Sequence, residues 1–129
     1  MDAGRRPRAL IVDDNAVIGR MLGDMLYWLG VDTDELRHGR DALARLDGDD
    51  GYDLLVADLQ MPESNGWDFA QAARARRPHL RVLLITGHPS AAILERAQQA
   101  ELGLLPRPFT MEALETAVRG VLASAGHGS

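Results

Sequence analysis

Five side chains could do chemistry together, and their types say which: Asp13, Asp14, Asp58, Thr86 and Arg107. The two adjacent aspartates close one short apolar run, Asp58 closes a second, Thr86 closes a third, and Arg107 follows a fourth. Carboxylates crowded on one rim repel each other, and a hard cation such as Mg²⁺ relieves that cost through oxygen ligands. Such a metal would hold phosphoryl oxygens and offset charge while a donor passes its phosphoryl group to a carboxylate. A hydroxyl and a fixed cation would take the remaining oxygens. Each residue taken singly also has a plainer reading. Paired aspartates after a strand make turns and helix caps, Thr86 could be a strand-end residue, and Arg107 between two prolines could be a solvated loop residue. Asp58 is the stronger signal, because an unpaired buried carboxylate is costly. The joint placement carries the functional reading.

Those residues need elements to position them. Residues 8–12 form a short run with β-branched content that favours a buried strand. Over residues 15–29 the apolar positions Ile18, Leu22, Met25 and Leu29 fall at helical spacing, and Gly30 sits where a helix stop belongs. Residues 31–36 read as a second strand and 41–46 as a short helix ended by the 48–51 glycine–aspartate cluster. A strand over 52–57 runs straight into Asp58; a helix over 68–77 is stopped by Pro78. Residues 80–85 are the most apolar strand candidate. A helix over 90–101, a strand over 102–105 and a helix over 111–122 follow, the last with Thr110 as its N-cap. Strict alternation of strand and helix predicts a parallel sheet covered on both faces. In an open sheet of that kind, ligands bind beyond the carboxyl ends of the strands, where strand order reverses. The fold inference, not sequence distance, brings the five side chains to one rim.

The chain of 129 residues fits one domain (1–129, with a core of about 8–123 and fraying ends) and can bury a single core unaided. It has no cysteine, which excludes disulfides, thiolate metal sites and a cysteine nucleophile. A net charge of -5, with basic residues scattered between carboxylates, argues against nucleic acid as a partner. No apolar stretch is long enough to span a bilayer and no signal-peptide pattern is visible, so no membrane partner and a cytoplasmic location are expected. All 14 basic residues are arginine.

In order and spacing, Asp13-Asp14, Asp58 followed by Met61-Pro62 and Gly66, Thr86-Gly87, and Arg107-Pro108-Phe109 resemble the receiver domain of bacterial two-component response regulators. The likeness, to single-domain chemotaxis-type regulators, covers roughly residues 8 to 123. It implies an α/β flavodoxin-like fold, a five-stranded parallel sheet of order 2-1-3-4-5 with helices on both faces. It implies phosphotransfer from a histidine kinase or phosphotransfer protein to Asp58, with Mg²⁺ or Mn²⁺ as cofactor. Asp14 would ligate the metal directly, Asp13 through water, and the Gln60 backbone carbonyl would complete the site with Asp58. Thr86 would move to the phosphoryl group and remodel the face of helix four, strand five and helix five. The protein would then be a phosphoacceptor that assists its own phosphorylation and dephosphorylation, not an enzyme. With no output domain after the receiver pattern, its signal would pass by protein contacts to a downstream protein, as a monomer or a weak dimer through that face.

Two departures stand out. Receivers ordinarily carry lysine where this chain has Arg107, whose longer planar head is not a conservative exchange at a tight phosphate site; the chain-wide absence of lysine accompanies it. Many receivers also place an aromatic residue where Leu104 stands, and leucine cannot report the switch by ring rotation. These departures motivate an alternative, a degenerate receiver that binds a partner constitutively without phosphorylation. A phosphohydrolase would need an acid where Gln60 stands, and a flavin protein would need a glycine-rich first loop, which Asp13-Asp14-Asn15 is not. Asp47, Asp49 and Asp50 read as a solvated turn, since Gly51 breaks a calcium-loop pattern. Trp67 should pack near the loop carrying Asp58 and Trp28 lie on a helix face. His88 falls where receivers tune water access; His38, His79 and His127 form no ligand pattern.

Overall fold

The computed structural model describes residues 6–49, 51–61 and 64–124. The readings made of Asp50, Pro62, His127 and the two chain ends fall outside them. The elements run β1 (Arg8–Val12), α1 (Ala16–Trp28), β2 (Asp32–Leu36), α2 (Gly39–Gly48) and β3 (Leu54–Asp58). A small pair, β4 (Gln60–Met61) and β5 (Ser64–Asn65), then leads into α3 (Gly66–Arg76). The chain continues through β6 (Arg81–Thr86), α4 (Ala91–Gln99), β7 (Gly103–Pro106) and α5 (Met111–Ser124).

The main sheet is parallel, in the order β2-β1-β3-β6-β7. With the β4–β5 pair set aside, that is the expected 2-1-3-4-5 order. Alternation along each central strand divides the core in two, as the period of two in a strand requires. Leu10, Val12, Leu55, Ala57, Val82 and Leu84 face α2, α3 and α4, which contribute Leu46, Phe69 and Ala97. Ala9, Ile11, Leu54, Val56, Leu83 and Ile85 face α1 and α5, which contribute Leu22, Leu26, Leu114 and Val118. The edge strand β2 carries the polar sequence DTDEL, and its charges discourage pairing with another chain.

Four of the helices, α1, α3, α4 and α5, begin where a side chain accepts the first orphan N–H groups, whereas α2 has no side-chain cap. Asn15 Oδ1 accepts from the Val17 and Ile18 N–H groups at 2.9 and 3.1 Å. Ser90 and Asn65 cap α4 and α3 in the same way, and Thr110 Oγ1 accepts from the Ala113 N–H, as its sequence position predicts. Each cap is worth about 1 kcal/mol.

Several details differ from the sequence reading. The third strand starts at Leu54, two residues past the predicted start, and takes in Asp58, which sits opposite Ile85 in the ladder. Tyr52 lies outside it: its hydroxyl donates to Asp34 Oδ2 at 2.6 Å and its ring lies under the Arg8 guanidinium. The β4–β5 pair was not foreseen, because two-residue strands carry no periodicity. Asp49 is no mere solvated turn residue, since it binds Arg8 at 3.1 and 3.3 Å and accepts the Gly51 N–H. Asp47 pairs with Arg76 at 3.1 Å. Both contacts join residues far apart in sequence, which a local reading cannot see. No helix among the described residues is long and apolar enough to cross a membrane.

Candidate functional site

The order of strands reverses between β1 and β3: the chain leaves β1 toward β2 on one side, then returns to build β3, β6 and β7 on the other. That reversal opens a crevice at the carboxyl ends of the strands. Asp13 follows β1, Asp58 ends β3, Thr86 ends β6 and Arg107 follows β7, so the fold delivers all four to one rim.

Asp13 and Asp58 are buried, at 4% and 7% exposure, and Thr86 is fully buried. Burial pushes the Asp13 carboxyl above the ordinary carboxylate range. The Asn15 N–H, donating to Asp13 Oδ1 at 2.9 Å, pulls the other way; the charges of Asp58 and Asp14 raise it further, and that of Arg107 lowers it. Among the described residues, two groups donate to the Asp58 carboxylate. The Gln60 N–H donates to its Oδ1 at 2.8 Å, and an Arg107 guanidinium nitrogen donates to its Oδ2 at 3.0 Å. The longer arginine head therefore reaches the carboxylate through one nitrogen. The Arg107 N–H also donates to the Thr86 carbonyl at 2.7 Å, tying the loop after β7 to the end of β6, and the Arg107–Pro108 bond is cis.

Asp14 lies exposed at the mouth of the crevice. Among the described residues, no three acidic or histidine side chains gather closely enough to hold a metal by themselves. The donor set still fits a hard divalent cation. Asp13, Asp14 and Asp58 offer only oxygen, and the burial that chiefly raises the Asp13 pKa, with the nearby charges of Asp58 and Asp14, is a cost such a cation would offset. Mg²⁺ keeps several waters and needs few protein ligands.

Leu104 is half-buried against the core face formed by α2, α3 and α4, opposite Leu84 in the ladder. Trp67 packs against that same core face, with the Arg96 guanidinium 4.7 Å above its ring. Trp28 is exposed on α1. His88 is exposed, and its backbone N–H donates to Thr86 Oγ1 at 3.0 Å. One functional contact escaped the sequence. The Gln60 side chain, noted there for its carbonyl and for not being an acid, faces the Thr86 hydroxyl with Nε2 at 3.2 Å and Oε1 at 3.4 Å. No sequence signal could have found it, because it joins residues 26 apart that the pairing of β3 with β6 brings together.

A doubly wound sheet with buried aspartates, a hydroxyl and a cation at its switch point defines a class of α/β protein whose polar site lies at the carboxyl ends of its strands. Comparison makes the assignment narrower: residues 9–119 match the response regulator receiver domain, and the chain belongs to that family of two-component signalling proteins. It is 35% identical to the chemotaxis protein CheY of Pseudomonas aeruginosa over 118 residues, 88% of this chain and 94% of that protein. It is 31% identical to the chemotaxis protein CheY1 of Helicobacter pylori over 121 residues, 91% of this chain and 98% of that one. It also matches longer transcriptional regulatory proteins, of whose length it spans about half, 47% and 49% in two cases. The structure of Vibrio cholerae CheY4 superposes with a TM-score of 0.81 at 26% identity, covering 91% of this chain and 99% of that one.

Proposed function

We propose that the chain is a phosphoacceptor switch. A histidine kinase or phosphotransfer protein gives its phosphoryl group to Asp58. A new bond forms between an Asp58 carboxylate oxygen and phosphorus as the phosphorus–nitrogen bond to the donor histidine breaks, and the electron pair returns to that nitrogen. Mg²⁺ or Mn²⁺, when bound, supplies positive charge to the phosphoryl oxygens. Asp14, Asp13, Asp58 and the Gln60 backbone carbonyl are the groups that would hold it. Arg107 donates to phosphoryl oxygen from its place beside Asp58, and Thr86 closes on the remaining oxygen. No separate substrate is turned over, so the protein assists its own modification and hydrolysis without being an enzyme in the ordinary sense. The signal passes to a downstream protein through the α4–β7–α5 face, with the chain monomeric or weakly dimeric there, in the cytoplasm.

The observation that carries this reading is the 3.0 Å contact from Arg107 to Asp58, which supports a cation beside the acceptor carboxylate in the role the family gives to lysine. Intact-mass analysis after incubation with Mg²⁺ and acetyl phosphate tests it, with Asp58→Asn alongside. A metal-dependent phosphoryl adduct that Asp58→Asn lacks is expected; undiminished labelling of Asp58→Asn would sink the assignment. Leu104 favours one rival, constitutive partner binding without phosphorylation, because it offers no ring to swing inward. Failure of both acetyl phosphate and beryllofluoride to load Asp58 would put that rival ahead.

A further inference from the structure

The Thr86 hydroxyl is not waiting free. It is fully buried, it accepts from the His88 N–H at 3.0 Å, and the Gln60 amide faces it at 3.2 and 3.4 Å. A hydroxyl offers one donor and two acceptor sites, so these two neighbours nearly saturate it. Asp58 is meanwhile engaged by the Gln60 N–H and Arg107, and no hydrogen bond joins it to Thr86 among the described residues. Gln60 thus grips the carboxylate by its backbone and the hydroxyl by its side chain.

We propose that the Gln60 side chain is a positioning residue that holds the Thr86 hydroxyl in the unphosphorylated arrangement and competes with the phosphoryl group for it. The inference rests on the phosphoacceptor reading. It also supplies what Leu104 lacks, a route outward. Gln60 is paired with Asn65 across β4–β5, Asn65 Oδ1 accepts the Trp67 N–H at 2.7 Å, and Arg96 of α4 lies over the Trp67 ring. Release of the amide loosens the β4–β5 pair that leads into α3, whose Trp67 ring meets Arg96 of α4 and lies in the path as an optical reporter.

The test is a beryllofluoride titration at saturating Mg²⁺, read by Trp67 emission in a Trp28→Phe background. Gln60→Leu keeps the volume and removes both hydrogen-bonding groups. Losing one competing hydrogen bond of ordinary strength should tighten beryllofluoride binding by about three- to tenfold. That gain should vanish in a Thr86→Ala background and return in Thr86→Ser, a dependence that a merely structural role would not produce. An unchanged affinity in Gln60→Leu, or an equal gain in Thr86→Ala, would overturn the proposal. Absence of beryllofluoride binding by the parent protein would overturn the phosphoacceptor reading instead. The latch then has its own measurement in the metal-free protein, hydrogen exchange of the Gln60 side-chain amide. Faster exchange in Thr86→Val, which keeps the shape of threonine, is expected; equal rates would overturn the latch.

Discussion

At the scale of single residues, Asp13 shows a site that is costly to the fold. Its carboxyl titrates above its unfolded value because burial, Asp58 and Asp14 oppose its charge. The folded state therefore holds the Asp13 proton more tightly than the unfolded chain does. The stability this contributes is fully present below the unfolded pKa and is lost as pH rises through the folded value. At neutral pH and without metal, Asp13→Asn should raise the unfolding midpoint by roughly 2–4 °C, since Asn keeps an oxygen to accept the Asn15 N–H. Calorimetry at pH 7 checks it, and the gain should shrink toward pH 3. Arg107 works in the opposite sense, as the cation that offsets Asp58. Arg107→Ala should weaken beryllofluoride binding at least about tenfold, the scale of a lost hydrogen bond to a charged group, whereas Arg107→Lys should recover most of it.

Elements impose a different kind of constraint, that of close approach. A Cβ at Gly66 would meet the Leu59 Cα and carbonyl oxygen at 2.7 Å, backbone that cannot step aside. Gly66→Ala should therefore cost about 2 kcal/mol or more in chemical denaturation and disturb Leu59, the residue between Asp58 and Gln60. Gly23 in α1 looks tighter, since its Cβ would lie 2.5 Å from Glu35 Oε2, but that atom ends a flexible, exposed side chain. There alanine gains about 1 kcal/mol of helix propensity over glycine, so Gly23→Ala should be near neutral. The helix α4 is held differently again. Ala97 is its one fully buried residue, and Arg74 of α3 donates to the Ala100 and Glu101 carbonyls at 2.6 and 2.7 Å just past its end. Arg74→Ala should speed amide exchange in α4 far more than in α5 and cost about 1–2 kcal/mol. A helix tied by a few polar contacts, and not by a broad apolar face, is one that a signal can move.

For the whole molecule, site and fold are linked by mass action. A cation that binds only the folded rim should stabilise the protein by about 2.7 kcal/mol at a hundred times its dissociation constant. Asp14→Ala should remove most of that gain in a thermal melt with Mg²⁺ while leaving the metal-free melt nearly unchanged, because Asp14 is exposed. The carboxyl-end crevice exists because β1 is central, with β2 on one side and β3 on the other. No single residue makes it.

The alternation of the main strands and helices, the two-faced core and the strand-end positions of Asp13, Asp58, Thr86 and Arg107 were legible in the sequence, because each is written locally: in apolar runs, in a period of two or 3.6, and in polar residues at strand ends. Thr110 and its cap were legible for the same reason. What only the tertiary structure decided are contacts between distant segments. It set Asp58 inside β3, ran the Arg107 nitrogen to its Oδ2, bound Asp49 to Arg8, and turned the Gln60 amide onto Thr86 across 26 residues. Hydrogen bonds select partners by position in space, and that position is fixed by the packing of the whole sheet.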